Sequence, residues 1–165
     1  MDKALACQGW ITFAGRPCSM NPLLLVHAAA TLFLCGLIWT MQAVHYPLFA
    51  RVGPESFAAY ATEHQARISW LVAPVMLLEL ATGAALLALA PQPELRILLG
   101  VGTALIVFIW MSTWLQAVPR HRELSHGFDA ASHRKLVQVN WNRTIAWTAR
   151  SGLVLWILAT AGGRS

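Results

Sequence analysis

Charge is what this sequence has least of. Only 12% of its 165 residues are charged, and seven carboxylates face twelve lysines and arginines. A soluble domain normally carries about 25% charged residues, so an ordinary water-facing surface is excluded. Cysteine is also sparse. Cys7 and Cys18 lie near the start and Cys35 in an apolar run, with no CxxC pair, so no thiolate metal framework exists. Cys7 and Cys18 allow one disulfide in the leader region. Gly-rich phosphate loops, GxSxG elbows and HExxH are missing too. The run His121–His126 reads HRELSH, with its glutamate displaced by one position, so zincin chemistry is not supported. The net charge of +5 is not gathered into a basic tract with interleaved aromatics, which argues against nucleic acid as a partner.

What the chain does have is apolar length. Hydrophobic residues make up 57%, and the mean hydropathy is +0.54. Four segments, about 22–43, 68–90, 97–118 and 144–161, approach the roughly 20 residues that cross a hydrocarbon core of about 30 Å. The expected fold is all-α: a single four-helix transmembrane bundle over residues 21–162, running up-down-up-down, with the lipid bilayer as its partner. Residues 1–20 read as a tail outside that domain. Met20 opens MNPLLLVHAAA like a natural start, so the first nineteen residues are expected not to belong to the native fold.

Only PQPELR separates the second and third segments, which makes them antiparallel neighbours. The other two connections share the opposite end. That long-loop end holds Arg51, Arg67, Arg120, Arg122, Arg134, Lys135 and Arg143, against Arg96, Arg164, Lys3 and Arg16 on the other side. The excess predicts the long loops in the cytoplasm and both termini outside, in a bacterial inner membrane. Gly53-Pro54-Glu55 resembles a helix start, and Gly127-Phe128-Asp129 supplies a turn and an N-cap. Helices two and four are therefore expected to begin beyond the membrane, while Pro47 and Pro119 mark where helices one and three kink or stop.

Polar residues converge on the long-loop end. His45, Tyr46, His64, Arg67, His121, Asn140, Trp141, Arg143 and Trp147 form a candidate ligand site, since bundles build internal sites from facing helices. Interfacial Trp, Tyr, His and Arg also form belts that need no ligand. Arg143, Trp147 and Arg150 share nearly one helical face, a cationic stripe with an aromatic spacer suited to a small hydrophobic or anionic, quinone-like ligand. His45, His64 and His121 are weak candidates for a metal or haem, while His27, deeper in a span, has no histidine partner at its level.

Deeper still lie Glu79, at the midpoint of its apolar run, and Arg150, about 10 Å in from Arg143 along the axis. Intramembrane ionisable groups face the bundle interior and find partners. A buried Glu79–Arg150 charge pair is the expectation, serving either to fix helix register or to handle charge.

The blocks HYPLF (His45–Phe49), HQARISWLVAPVMLLEL (His64–Leu80), VPRHRELSHGFD (Val118–Asp129) and NWNRTIAWTAR (Asn140–Arg150) resemble those of small bacterial four-helix integral membrane proteins. The resemblance covers about residues 21–158 and implies an architecture, with no activity or cofactor attached. A fainter similarity, in helix count and VHYPLF, is to anthrone-oxygenase-like membrane proteins, which oxidise polycyclic phenolics. The functional expectation is a small-molecule or redox site for a quinone-like, phenolic or haem ligand at the cytoplasmic end, as in a membrane oxidoreductase or oxygenase-like protein. The alternative is a non-enzymatic membrane subunit or assembly partner, whose polar cluster is structural and which docks another membrane protein.

Overall fold

The computed structural model describes residues 21–162. The tail 1–20, the Cys7–Cys18 pairing, and Lys3, Arg16 and Arg164 of the charge count lie outside them. The described chain forms four long helices: α1 (Pro22–Phe49), α2 (Pro54–Leu89), α3 (Pro93–Leu124) and α4 (Ala130–Gly162). Each is long and apolar enough to cross a membrane. The chain is an all-α four-helix bundle, in which α1 and α3 each pack against α2 and α4.

Local chemistry sets the helix ends. Asn21 accepts the Leu23 amide at 2.9 Å through its side chain, and Pro22, Pro54 and Pro93 each occupy a first turn, where a missing N–H costs nothing. The turn before α4 uses Gly127 at φ 144°, a backbone region that favours glycine. Asp129 then caps α4, its carboxylate accepting the Ser132 amide at 2.6 Å. That bond holds the Asp129 carboxyl below its usual range, so the cap persists into mildly acidic conditions.

The prolines Pro47 and Pro119 stop neither helix. Each stands two residues beyond the end of a π-helical turn, Met41–His45 in α1 and Thr113–Ala117 in α3. The Tyr46 amide bonds back to the Met41 carbonyl and the Val118 amide to the Thr113 carbonyl, five residues apart in both cases. A proline ring crowds the carbonyl four residues earlier and offers it no hydrogen. The wider turn absorbs that conflict, and the helix continues. All four helices, and not only α2 and α4, thus extend past their apolar segments at the loop end.

The interior alternates in layers. At the terminus end, Leu24, Leu86, Ala90, Leu95, Leu99 and Ile157 pack together. A middle layer joins Leu34, Ile38, Met76, Ile109, Ala146 and Trp147. The loop-end layer contains Tyr46, Phe49, Phe57, Ala61, Ala117, Leu124 and Leu136. Two buried polar layers lie between them. The outward faces are as apolar as the core, with Leu32, Phe33, Trp70, Leu77, Val107, Phe108 and Trp156 exposed. A helix apolar all round belongs in a lipid environment.

One close approach depends on glycine. A Cβ on Gly83 would lie 2.9 Å from Ile106 Cδ1 and 3.1 Å from His27 Cε1, so an added methyl must push both side chains aside where α2 meets α1 and α3. Gly83→Ala is expected to lower stability by about 1–3 kcal/mol through overpacking. Gly36→Ala, where an added methyl meets nothing within 4 Å, is expected to be neutral or to stabilise by up to about 1 kcal/mol. Unfolding of the purified variants in detergent micelles measures both, and equal effects would contradict the packing described.

Candidate functional site

The deeper polar layer is built on Arg150 and Glu79, each only 1% exposed. Arg150 Nη2 lies 3.0 Å from Glu79 Oε1, and Arg150 Nε donates to the same oxygen at 3.1 Å. Thr31 Oγ1 donates to that oxygen at 2.9 Å, and Trp147 Nε1 donates to Glu79 Oε2 at 3.4 Å. The remaining guanidinium hydrogens reach Gly102 O, His27 Nε2 and Thr31 Oγ1. A buried charge pair is tolerable only when its polar atoms find partners, and here every nitrogen of the guanidinium and both carboxylate oxygens have at least one.

The histidine tautomer follows from the threonine beside it. Thr82 Oγ1 donates to Leu78 O at 2.7 Å, which leaves it only lone pairs to offer His27 at 2.9 Å. His27 Nδ1 therefore carries the hydrogen, and its Nε2 lone pair faces Arg150. A neutral His27 completes the shell of the arginine. Beside it a void of about 10 Å³, bordered by His27, Gly83, Gly102, Thr103, Ile106 and Arg150, has room for about one water molecule.

The second polar layer sits at the level of the π turns. Asn140 is fully buried; its Nδ2 donates to Gln42 Oε1 at 2.7 Å, and its Oδ1 accepts from Arg143 Nη2 at 2.7 Å. Arg143 Nη1 reaches Thr113 Oγ1 at 3.5 Å. Gln42 and Thr113 belong to the two π turns, so the same backbone irregularity that accommodates the prolines presents the partners of α4. This layer is not closed. Arg143 is 7% exposed, its Nε has no hydrogen-bond partner, and it joins no ion pair among the described residues.

Above it lies a nest of rings. His45 stacks on His64 with centroids 4.1 Å apart, and His64 neighbours His121 at 6.0 Å. The Tyr46 hydroxyl is 3.3 Å from His121 Nε2. Phe49 and Tyr60 border the same nest. His133 Nε2 donates to the Tyr46 carbonyl at 2.9 Å, satisfying a backbone acceptor in the last turn of α1. His45 Nε2 is buried without a partner.

No family model, curated protein or solved structure matches this chain. Its geometry is the only guide to what the two layers do.

The structure brings together His45, Tyr46, His64 and His121 in the ring nest, with Asn140 and Arg143 directly beneath. Arg67 is not among them. Its side chain is 79% exposed and paired with Glu63 at 2.6 Å, one turn away on the outer surface of α2. Trp141 also points outward, 43% exposed and edge-on to Trp39 with centroids 5.7 Å apart. Trp147 lies in the middle apolar layer between the levels of the two arginines, buried, with its Nε1 turned toward Glu79. The three histidines expected as weak metal candidates are close, but face-to-face stacking of His45 on His64 does not aim both rings at one ion. Among the described residues no group of three or more His, Cys, Asp or Glu is placed to hold a metal.

Several participants escaped the sequence. His27, Thr31, Thr82, Gly102 and Thr113 are small or singly polar residues inside apolar runs. Their signal is spacing: His27 and Thr31 stand one turn apart, as do Glu79 and Thr82, and such pairs share a helical face.

Removing one member of the deep pair strands the other. Glu79→Gln and Arg150→Met are each expected to destabilise by about 3–5 kcal/mol. The double substitution should cost less than the sum by more than about 1 kcal/mol in a double-mutant cycle. Strictly additive losses would show that the two charges do not support each other.

Proposed function

We propose that this chain is a multi-pass protein of a bacterial inner membrane, with its loop end in the cytoplasm, whose loop end binds a small flat-ring molecule of quinone-like or phenolic kind. The excess of Lys and Arg at the loop end supports the orientation. Trp39, Trp70, Trp114 and Trp141 project outward, 42–84% exposed, near the Arg143 level. Tryptophans so placed suit a membrane–water boundary, with the ring nest on its headgroup side.

The observation that carries the binding assignment is the pair of unpartnered buried nitrogens, Arg143 Nε and His45 Nε2, beside a nest of aromatic rings. Buried polar groups without partners cost stability, and a ligand, ion or water that completes two of them at one place is favoured there. Stacking faces from His45, His64 and Tyr60 suit a planar ring, while Arg143, Tyr46 and His121 offer groups to an oxygen on it. The chemistry that fits such a site is that of a membrane oxidoreductase or oxygenase-like protein. His121 and Tyr46 stand in hydrogen-bond contact, a geometry that can pass a proton to or from a bound oxygen.

A second assignment applies to the deeper layer alone. Its donors and acceptors are matched, and the adjacent void admits about one water molecule, so it serves as a structural tie. A membrane subunit or assembly partner needs only that layer. Purified full-length protein in detergent, titrated with naphthoquinones and naphthols, separates the two roles. A ring ligand at a hundredfold excess over its Kd should stabilise the fold by about 2.7 kcal/mol. Arg143→Leu should abolish the shift, and a flat response across the whole ligand series would leave only the structural role standing.

A further inference from the structure

Resting on that proposed binding site, we infer that the group recognised at Arg143 is a single negative charge: an ionised phenol or acid on a ring, or a free small anion occupying the same place. Two arginines are buried in this bundle, and they are treated oppositely. Arg150 meets Glu79 within 3.0 Å, whereas Arg143, also buried, meets only neutral groups: Asn140 Oδ1, Thr113 Oγ1 and the nearby Tyr46 and His121.

The carboxylates at this end are engaged or displaced. Glu63 pairs with Arg67, Glu123 with Arg120 and Ser132, and Asp129 caps α4, all at the exposed surface. Glu55 lies in the exposed first turn of α2. A guanidinium nine-tenths buried with no counter-charge is unfavourable, because desolvation is not repaid by a partner. Its free Nε points to where that partner belongs. Neutral quinone carbonyls satisfy a hydrogen bond but leave the charge unbalanced. An anion satisfies both.

The polar groups that meet Arg143 are neutral acceptors. Asn140 spends its Nδ2 on Gln42 and offers Arg143 its Oδ1, and Thr113 Oγ1 gives its hydrogen to Ile109 O at 2.8 Å and offers a lone pair, so neither balances the guanidinium charge. The π turn at Thr113–Ala117 holds this wall away from regular α-helical spacing, and such turns recur where helices build ligand sites.

The test compares 4-nitrophenol, in mildly alkaline buffer where it is ionised, with 4-nitroanisole, which has the same ring and cannot ionise. The full-length protein in detergent is titrated with each, and separately with chloride against gluconate. Nitrophenolate is expected to bind at least about tenfold tighter than nitroanisole, with the bound dye ionised at a lower pH than the free dye. Arg143→Leu should remove that preference. Arg143→Lys should keep the preference with weaker binding, and its dye absorbance gives a readout that does not depend on how stable the leucine variant is. Equal binding of the two rings overturns the charge inference while leaving a ring site in place. A saturable chloride response that depends on Arg143, with no response to either ring, upholds the anion inference and overturns the ring-ligand assignment. Silence in every arm overturns both.

Discussion

The Arg150 guanidinium is the one group on which the bundle turns. From α4 it reaches Glu79 on α2, His27 and Thr31 on α1, and a backbone carbonyl on α3. Apolar side chains give little preference for one helix rotation over another when the surrounding lipid is as apolar as the core. A charge that must find its partners on three other helices removes that freedom. Gly83 belongs to the same constraint, because its missing side chain leaves room for the His27 ring between the helices.

With the lower half fixed, the upper half is free to hold something. The two polar layers use the same residue types, arginine with an amide or carboxylate and threonines, yet they differ in closure. Below, the ion pair is surrounded by matched donors and acceptors. Above, a buried cation and a buried imidazole nitrogen are unmet. That difference, rather than the number of polar residues, separates a tie from a site.

Much of the fold was legible because its evidence is long. Four apolar runs, the short PQPELR link, and start signals at Gly53-Pro54 and Asp129 each announce themselves over several residues. The proximity of Glu79 and Arg150 was legible for a related reason: two intramembrane charges of opposite sign at similar depth have few other solutions. The orientation of residues near the interface was not. Arg67 and Trp141 have the right chemistry and level but face outward, and a position only one residue away on a helix is turned by about 100°. His27 looked isolated because a histidine was sought as its partner, and its actual partners are a threonine and an arginine from other helices. The π turns were hidden in plain sight, since a proline inside a helix usually reads as a stop.

Those π turns have a further consequence. Each inserts one residue beyond regular α-helical spacing, which advances everything beyond it by about 100° around the helix axis. They occur in α1 and α3, at the same height, between the layer fixed by Arg150 and the ring nest. The angular setting of Tyr46 and His121 is therefore offset by that angle from the regular register of His27, Thr31 and Gly102 on the same two helices. The bundle behaves as two gears on common shafts, one locked and one re-phased.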